Sequence, residues 1–284
     1  MFALLTDRQW LWIAAGCYLT GVLFGTISLA RHRRHSRVAM YAIIVAGYLA
    51  QTFGLLMRGR AVGGCPLGNA FEIFQFTGWS ATALYLAIGA TFRLSLFGYF
   101  TACLTLVFTL VSLNIPAWDA VRHTALLGGN PWIAVHAALA MFSYGVFALL
   151  TLSAAMFLFR NHSLKSKQPG GWFHFLPSVL DLDHMSVRLL TAGVSVMTLA
   201  IGVGWVYWRR DDAEVDHMKL LIVVAVWWAY VLTLVLRLAG RLTGKYFAWM
   251  CVAMFGLALL SLWPVNRSRH PEPRVRAAVS APAP

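Results

Sequence analysis

The 284-residue chain is 60% hydrophobic and only 12% charged, with a mean hydropathy of +0.68. Soluble globular proteins carry about 25% charged residues, so this composition cannot cover a surface that faces water. It excludes a soluble enzyme, a disordered protein and a small disulfide-linked secreted domain. The net charge of +13 does not indicate nucleic-acid binding, because the basic residues lie in short segments between apolar stretches, where they orient membrane proteins.

Apolar runs of roughly 20 residues predict about eight transmembrane helices, and therefore an all-α, polytopic membrane helix bundle. In chain order the predicted spans are Trp10–Ala30, Val38–Met57, Asn69–Thr91, Phe97–Ile115, Pro131–Phe159, Val187–Trp208, Met218–Leu238 and Tyr246–Trp263. Basic residues follow the first span rather than precede it, so we predict a retained helix and not a secretory signal. Residues 1–270 form the predicted membrane domain, and residues 271–284 form a predicted disordered tail.

The distribution of Lys and Arg between alternate loops predicts the orientation. One side collects twelve of these residues and the other collects seven before the tail, so the first side is predicted to face the cytoplasm. Both termini are then expected outside the cytoplasm, together with the loops 58–68, 116–130 and 209–217. No internal repeat is visible, which disfavours an inverted-repeat transporter.

Few residues inside the spans carry chemistry. Four cysteines form no Cys-x-x-Cys pair and are interpreted as small buried hydrophobic residues, with Cys65 alone in an outer loop. Glu72 is the one carboxylate inside a span. Its spacing from Asn69 is typical of a helix-start capping box, although an intramembrane carboxylate is also a candidate for direct chemistry.

His136 differs from the other eight histidines because it lies just inside the outer end of the fifth span. An imidazole at such a position suits axial ligation of iron, but a lone histidine in a span is more often a hydrogen-bonded packing residue. Tryptophan and tyrosine residues near the outer boundary fit either an interfacial belt or an apolar shelf for a porphyrin.

Four segments carry motifs that a known family shares. They are Cys65-Pro-Leu-Gly-Asn-Ala-Phe-Glu-Ile-Phe74; Trp132-Ile-Ala-Val-His136 followed by Ser143-Tyr144; Leu176-Pro177-Ser178 with Leu182-Asp183 and Ser186-Val187-Arg188; and the stretch from Asp216 to Arg237. On these motifs the chain resembles the cytochrome c assembly (CcsA/HemX-like) family of haem-handling membrane proteins. The likeness extends from about Arg58 to His270.

The resemblance implies a haem cofactor of the b type, bound transiently or stably. In the family an outward-facing Trp-rich loop shields haem, and external histidines ligate its iron from both sides. By resemblance His136 is the first iron ligand, and His270, which follows Val265-Asn266, is the second. His217 stands where the family has proline and is either a substitute outer ligand or an ordinary loop residue.

The remaining site residues are also implied by the resemblance. The apolar walls of the haem site would be Trp205, Tyr207, Trp208 and Trp263. Bidentate pairing of guanidinium with carboxylate suggests Arg58, Arg60 and Arg122 as partners of the haem propionates. Asn69 and Glu72 would brace the neighbouring helix start.

Two departures from the family pattern shape the expected function. The Trp-rich loop is reduced to Trp205-Val-Tyr-Trp208, and a family histidine near the inner end of the seventh span aligns with Val235, which cannot ligate iron. We therefore expect a divergent, HemX-like member rather than a full cytochrome c synthase. No catalytic residue is predicted, and whether the chain is an enzyme stays open.

The leading hypothesis is a haem-binding protein of the bacterial cell (inner) membrane that supports cytochrome c maturation and holds haem at the outer face. Its expected partners are membrane lipid and other cytochrome c maturation proteins, with no nucleic acid. The alternative is a HemX-like, non-catalytic membrane regulator of haem-biosynthetic enzyme levels that acts through its inner loops, such as 160–185. A small-solute transporter is a third, less favoured class.

Overall fold

The computed structural model describes residues 5–31, 36–92, 95–120, 131–165, 177–210 and 217–267. Within these ranges the chain forms eight α-helices and one short 3₁₀ helix, Pro116–Asp119, and contains no strand. The helices are α1 (Asp7–Ala30), α2 (Arg37–Val62), α3 (Ala70–Phe92), α4 (Ser95–Asn114), α5 (Pro131–Lys165), α6 (Val179–Arg210), α7 (His217–Leu238) and α8 (Gly244–Arg267). The predicted all-α bundle of about eight helices is confirmed.

The helices are suited to a bilayer, and the chain is a multi-pass membrane protein. Six of them, α1, α2, α4, α5, α6 and α7, contain stretches long and apolar enough to cross it. The apolar part of α8 among the described residues is shorter, at Gly244–Leu260. Helix α3 buries the polar residues Glu72 and Gln75, and it packs against α2, α4 and α5.

Most helix boundaries lie within a few residues of the predicted spans, but α6 begins at Val179 rather than near Val187. The Oγ atom of Ser178 accepts a hydrogen bond of 3.1 Å from the backbone N–H of Asp181, which caps the helix start. Apolar runs report only the part of a helix that lies in lipid, so they miss such a polar extension.

Helix α5 is the centre of the bundle, because it packs against α3, α6 and α8. Its contact with α6 is the most extensive in the molecule. Helices α1 to α4 pack against one another on one side of α5, and a continuous cluster of buried aliphatic and aromatic side chains runs through both sides.

Buried polar side chains link α1, α2, α3 and α4 in the interior of that first group. The Tyr18 hydroxyl donates to Gln51 Oε1 over 3.0 Å, and Gln51 Nε2 donates to Gln75 Oε1 over 2.9 Å. Gln75 Nε2 then donates to Ser112 Oγ over 2.9 Å. All four residues are fully buried. Lipid offers no hydrogen bonds, so these groups must satisfy one another and thereby hold the four helices in register.

Gly145 allows α5 to approach α3 closely. A Cβ atom at this position would lie 2.5 Å from the Cβ of Ser80 and 2.9 Å from the backbone N of Ala81. A backbone atom cannot move away as the end of a flexible side chain can. Small residues at helix interfaces permit this approach in membrane proteins.

We expect Gly145→Ala to separate α3 from α5 and to destabilise the protein by about 1–3 kcal/mol, the usual effect of overpacking. The measurement is the thermal unfolding midpoint of purified protein in detergent. Gly202→Ala is the matched control, because nothing lies within 4 Å of a Cβ at that position in α6. Equal midpoints for the two variants would contradict the close approach.

Candidate functional site

His136 lies in the second turn of α5 and contacts the neighbouring helix α6. Its Nδ1 atom is 2.7 Å from the carbonyl oxygen of Ala200. A carbonyl oxygen only accepts hydrogen bonds, so Nδ1 is the donor, and in the neutral imidazole this leaves the lone pair on Nε2. Metal-ligating histidines in proteins use the same arrangement, in which one ring nitrogen donates to a backbone carbonyl and the other binds the metal.

The imidazole of His136 rests against the backbone of α6 at Gly204, one turn beyond Ala200. A Cβ atom at Gly204 would lie 2.8 Å from both Cε1 and Nδ1 of the ring. Glycine is therefore the residue that leaves room for the ring at this position. The hydrogen bond and the glycine together fix the orientation of the imidazole.

Two exposed tryptophan side chains lie at the end of the α5–α6 pair that carries His136. Trp132 lies one turn before His136 and is 51% exposed, and Trp205 follows Gly204 and is 53% exposed. Exposed tryptophans of this kind suit a membrane interface, and they equally suit a flat apolar ligand.

Several predicted site residues lie outside the part of the chain that the structure describes. These are His270, Arg122 and the tail 271–284, together with the side chains of Tyr207, Trp208, His217 and Trp263. The backbones of these last four residues lie in helices, at the end of α6, the start of α7 and the last turns of α8. The pairing of His136 with His270 across a haem therefore stays a prediction.

A partly buried charge cluster, formed by Asp7, Arg8, Arg58, Glu72 and Asp119, joins helix ends on the side of the bundle where α5 begins. The Arg58 side chain is completely buried and donates to three carboxylates. Its Nη1 is 3.0 Å from Asp7 Oδ2, its Nε is 2.6 Å from Glu72 Oε1, and its Nη2 contacts Asp119.

The cluster also includes a second guanidinium and an aromatic ring. Arg8 Nη1 lies 3.0 Å from Asp119 Oδ2, and Arg8 Nη2 donates to the carbonyl oxygen of Leu113 over 3.0 Å. The guanidinium carbon of Arg58 lies 4.5 Å from the centre of the Phe71 ring. The cluster therefore ties α1, α2, α3 and the segment after α4 to one another.

Asn69 and Glu72 begin α3 as the capping interpretation predicts. The backbone N–H of Glu72 donates to Asn69 Oδ1 over 2.9 Å. The carboxylate of Glu72 accepts from the N–H of Gly68 over 2.6 Å and from Arg58 through its other oxygen. Glu72 thus both completes the helix start and balances a buried positive charge.

The geometry gives Arg58 a role different from the predicted contact with propionates. The N–H groups of Arg58 already face three carboxylates, so its position does not favour a further anion. Arg60 is exposed and lines a groove between α2 and α3. The third predicted arginine, Arg122, lies outside the residues that the structure describes.

The cysteines fit their interpretation as unreactive residues. All four are free thiols, and Cys251 is buried. Burial, with the nearby negative charge of Glu72, raises the pKa of Cys65 to about 11. Cys65 is therefore a neutral thiol near pH 7 rather than a reactive thiolate.

Analysis of the sequence alone missed several residues of these two sites. Ala200 contributes only its backbone carbonyl oxygen, which every residue type has, so the residue type does not indicate this contact. Gly204 belongs to a glycine-containing stretch, Ile201-Gly-Val-Gly204, whose spacing could have indicated close packing. Asp7 and Asp119 had no visible connection to Arg58, because their sequence separation is large.

The chain is similar to known proteins over most of its length. A family model described as "Cytochrome C assembly protein" matches residues 67–270. "Protein HemX" of Bacillus subtilis (strain 168) is 25% identical over 248 residues, covering 86% of this chain and 89% of that protein. "Protein HemX" of Brevibacillus brevis is 24% identical over 234 residues, covering 80% and 86% respectively. An "Uncharacterized 28.8 kDa protein in nifR3-like 5'region" of Azospirillum brasilense is 30% identical over 200 residues, covering 64% and 73%.

We expect Arg58→Ala to destabilise the bundle by about 3–5 kcal/mol, because it leaves buried carboxylates without their counter-charge. The measurement is the unfolding midpoint and the yield of monodisperse protein in detergent. Arg60→Ala, two residues away and exposed, is the control and should behave as wild type in both measurements. A small effect of Arg58→Ala, equal to that of Arg60→Ala, would show that the charge cluster does not hold the helix ends.

Proposed function

This chain belongs to the cytochrome c assembly protein family, and we propose that it binds haem through His136 at the non-cytoplasmic end of the bundle, in support of cytochrome c maturation. The family and the HemX relatives support a membrane protein with a function related to haem or cytochrome c. The proposal adds the ligand, the residue that binds it and the side of the membrane.

The observation that carries the proposal is the fixed orientation of His136. Its Nδ1 proton is bonded to the Ala200 carbonyl over 2.7 Å, so Nε2 is the atom that would bind iron. Gly204 prevents the ring from being displaced by a side chain of α6. The fixed orientation and the family motif around His136 together support a role in iron ligation.

The donor set also suits a haem better than a bare metal ion. Among the described residues no three His, Cys, Asp or Glu side chains come together in a way that could hold a metal. A porphyrin supplies four iron ligands itself, so the protein has to provide only one or two axial ligands. When bound, the haem would supply an iron centre that exchanges electrons, while this chain would supply ligation, orientation and shielding from water.

The rest of the proposed site follows from the family pattern and the charge distribution. His270 is the proposed second axial ligand, with His217 as its substitute, and Trp205, Tyr207, Trp208 and Trp263 are the proposed apolar walls. Arg122 is the proposed partner of a propionate. The excess of Lys and Arg in the opposite loops supports an orientation in which this end of the bundle and both termini lie outside the cytoplasm.

A second candidate function is a non-catalytic membrane regulator of haem-biosynthetic enzyme levels. Val235 favours it, because this position, where the family has a histidine, is 54% exposed in α7 and offers no ligand for a second haem within the membrane. A regulator would act through its cytoplasmic segments. Deletion of residues 166–176, between α5 and α6, should then abolish co-purification of a haem-biosynthetic enzyme while haem binding persists. Unchanged co-purification would count against this second candidate.

We expect purified wild-type protein from haem-replete cells to show a Soret band with a bis-imidazole spectrum. His136→Ala should reduce the haem content about tenfold or more, because it removes an axial iron ligand. Gly204→Ala should weaken binding or shift the band, since the added methyl group overlaps the ring position. His270→Ala should retain haem with an altered, five-coordinate spectrum.

The matched control is His184→Ala, which changes an exposed histidine near the start of α6, at the other end of the helix pair. Its spectrum and unfolding midpoint should equal those of wild type. A colourless wild-type protein, or an unchanged Soret band in a correctly folded His136→Ala variant, would overturn the proposal.

A further inference from the structure

An open groove lies between α2 and α3, apart from the α5–α6 pair that carries His136. Its volume is about 440 Å³. The lining residues come from the last turns of α2, the connecting loop and the second and third turns of α3. They include Thr52, Leu56, Arg60, Cys65, Phe76 and Trp79.

The walls of the groove are held in place by specific contacts, so the space does not depend on mobile side chains. The indole N–H of Trp79 donates to Thr52 Oγ1 over 2.8 Å, and the indole stacks on Tyr48 with ring centres 5.5 Å apart. At the other end the N–H of Gly64 donates to the carbonyl of Gly59 over 3.0 Å. Gly63 takes a left-handed conformation, with φ of 72°, that ends α2 and turns the loop back over the groove.

The groove extends from the helix ends along α3 towards the middle of the bundle. Trp79 lies nine residues beyond the start of α3 at Ala70, which corresponds to about 14 Å along a helix axis. Arg60, in contrast, lies in the last turn of α2, is exposed and lines the same groove. One end is therefore deep and apolar, and the other end is superficial and carries a positive charge.

This combination defines the chemistry of an occupant. Leucine, phenylalanine, tryptophan and glycine surfaces offer a water molecule too few partners, and an empty apolar space would forfeit dispersion contacts along its whole lining. A flexible hydrocarbon chain fills such a space from the lipid side. The guanidinium of Arg60 then selects a molecule whose polar end is anionic, above all a phosphate group.

We propose that the groove is a binding site for an anionic phospholipid, with one acyl chain against Phe76 and Trp79 and the phosphate paired with Arg60. The site lies on helices other than those of the proposed haem site and does not depend on haem binding.

Native mass spectrometry of the full-length, delipidated protein tests the site directly. Phosphatidylglycerol should bind more tightly than phosphatidylcholine with the same acyl chains. Arg60→Gln should weaken phosphatidylglycerol binding about fivefold, the effect of one basic residue on an anionic lipid, and should leave phosphatidylcholine binding unchanged. Leu56→Trp should weaken binding of both lipids by filling the groove.

Two matched controls separate this site from the general lipid annulus. Leu23 in α1 is 53% exposed, as is Leu56, and Leu23→Trp should leave lipid binding unchanged. Arg241→Gln removes an exposed arginine between α7 and α8 and should preserve the preference for phosphatidylglycerol. Equal binding of the two lipids by wild type, or equal losses in Arg60→Gln and Arg241→Gln, would overturn the proposal.

Cys65 supplies a second readout within the groove itself. In vesicles, alkylation of Cys65 at alkaline pH, followed by peptide mass spectrometry, should be slower with phosphatidylglycerol than with phosphatidylcholine. Arg60→Gln should abolish this difference. Protection of Cys65 by haem or by a quinone in phosphatidylcholine vesicles, with no effect of phosphatidylglycerol, would identify a different occupant and contradict the proposal.

Discussion

The pairing of the buried Arg58 guanidinium with the carboxylates of Asp7, Glu72 and Asp119 is the constraint on which the arrangement of α1 to α4 depends. Charged and polar groups within a membrane protein find no partners in lipid, so each must be matched inside the bundle. Arg58, near the end of α2, can be matched only if the starts of α1 and α3 and the segment after α4 lie at the same place. The chain of Tyr18, Gln51, Gln75 and Ser112 imposes the same condition deeper in the bundle.

The connecting loop between α2 and α3 takes its shape from this pairing. Glu72 binds Arg58 with one carboxylate oxygen and the N–H of Gly68 with the other, so the loop is drawn over the helix ends. The groove beneath the loop follows from that path, as does the half-buried position of Cys65. The same end of the bundle carries His136, because α5 begins where α4 and its 3₁₀ segment end. The helix ends joined by Arg58 therefore lie at the same end of the bundle as the proposed haem site.

The sequence predicted the elements that depend on local composition. Apolar runs identified all eight helices, and the spacing of Asn69 and Glu72 predicted the capping contact that begins α3. The family motifs singled out His136. Partners distant in sequence could not be predicted in this way, because nothing near Arg58 indicates Asp7 or Asp119, and Arg58 was consequently assigned to an anion outside the protein. The contact of His136 with the Ala200 carbonyl could not be predicted either, because every residue type has the same backbone acceptor.

In the proposed haem site, Nε2 of His136 binds the iron while Nδ1 remains bonded to α6. A cryo-electron microscopy structure of the haem-replete protein in lipid nanodiscs would test this arrangement. We expect porphyrin density at the start of α5, with iron bonded to Nε2 of His136 and the Ala200 hydrogen bond intact. Porphyrin density elsewhere, for example between α2 and α3, or an imidazole turned away from it, would refute the proposed ligation.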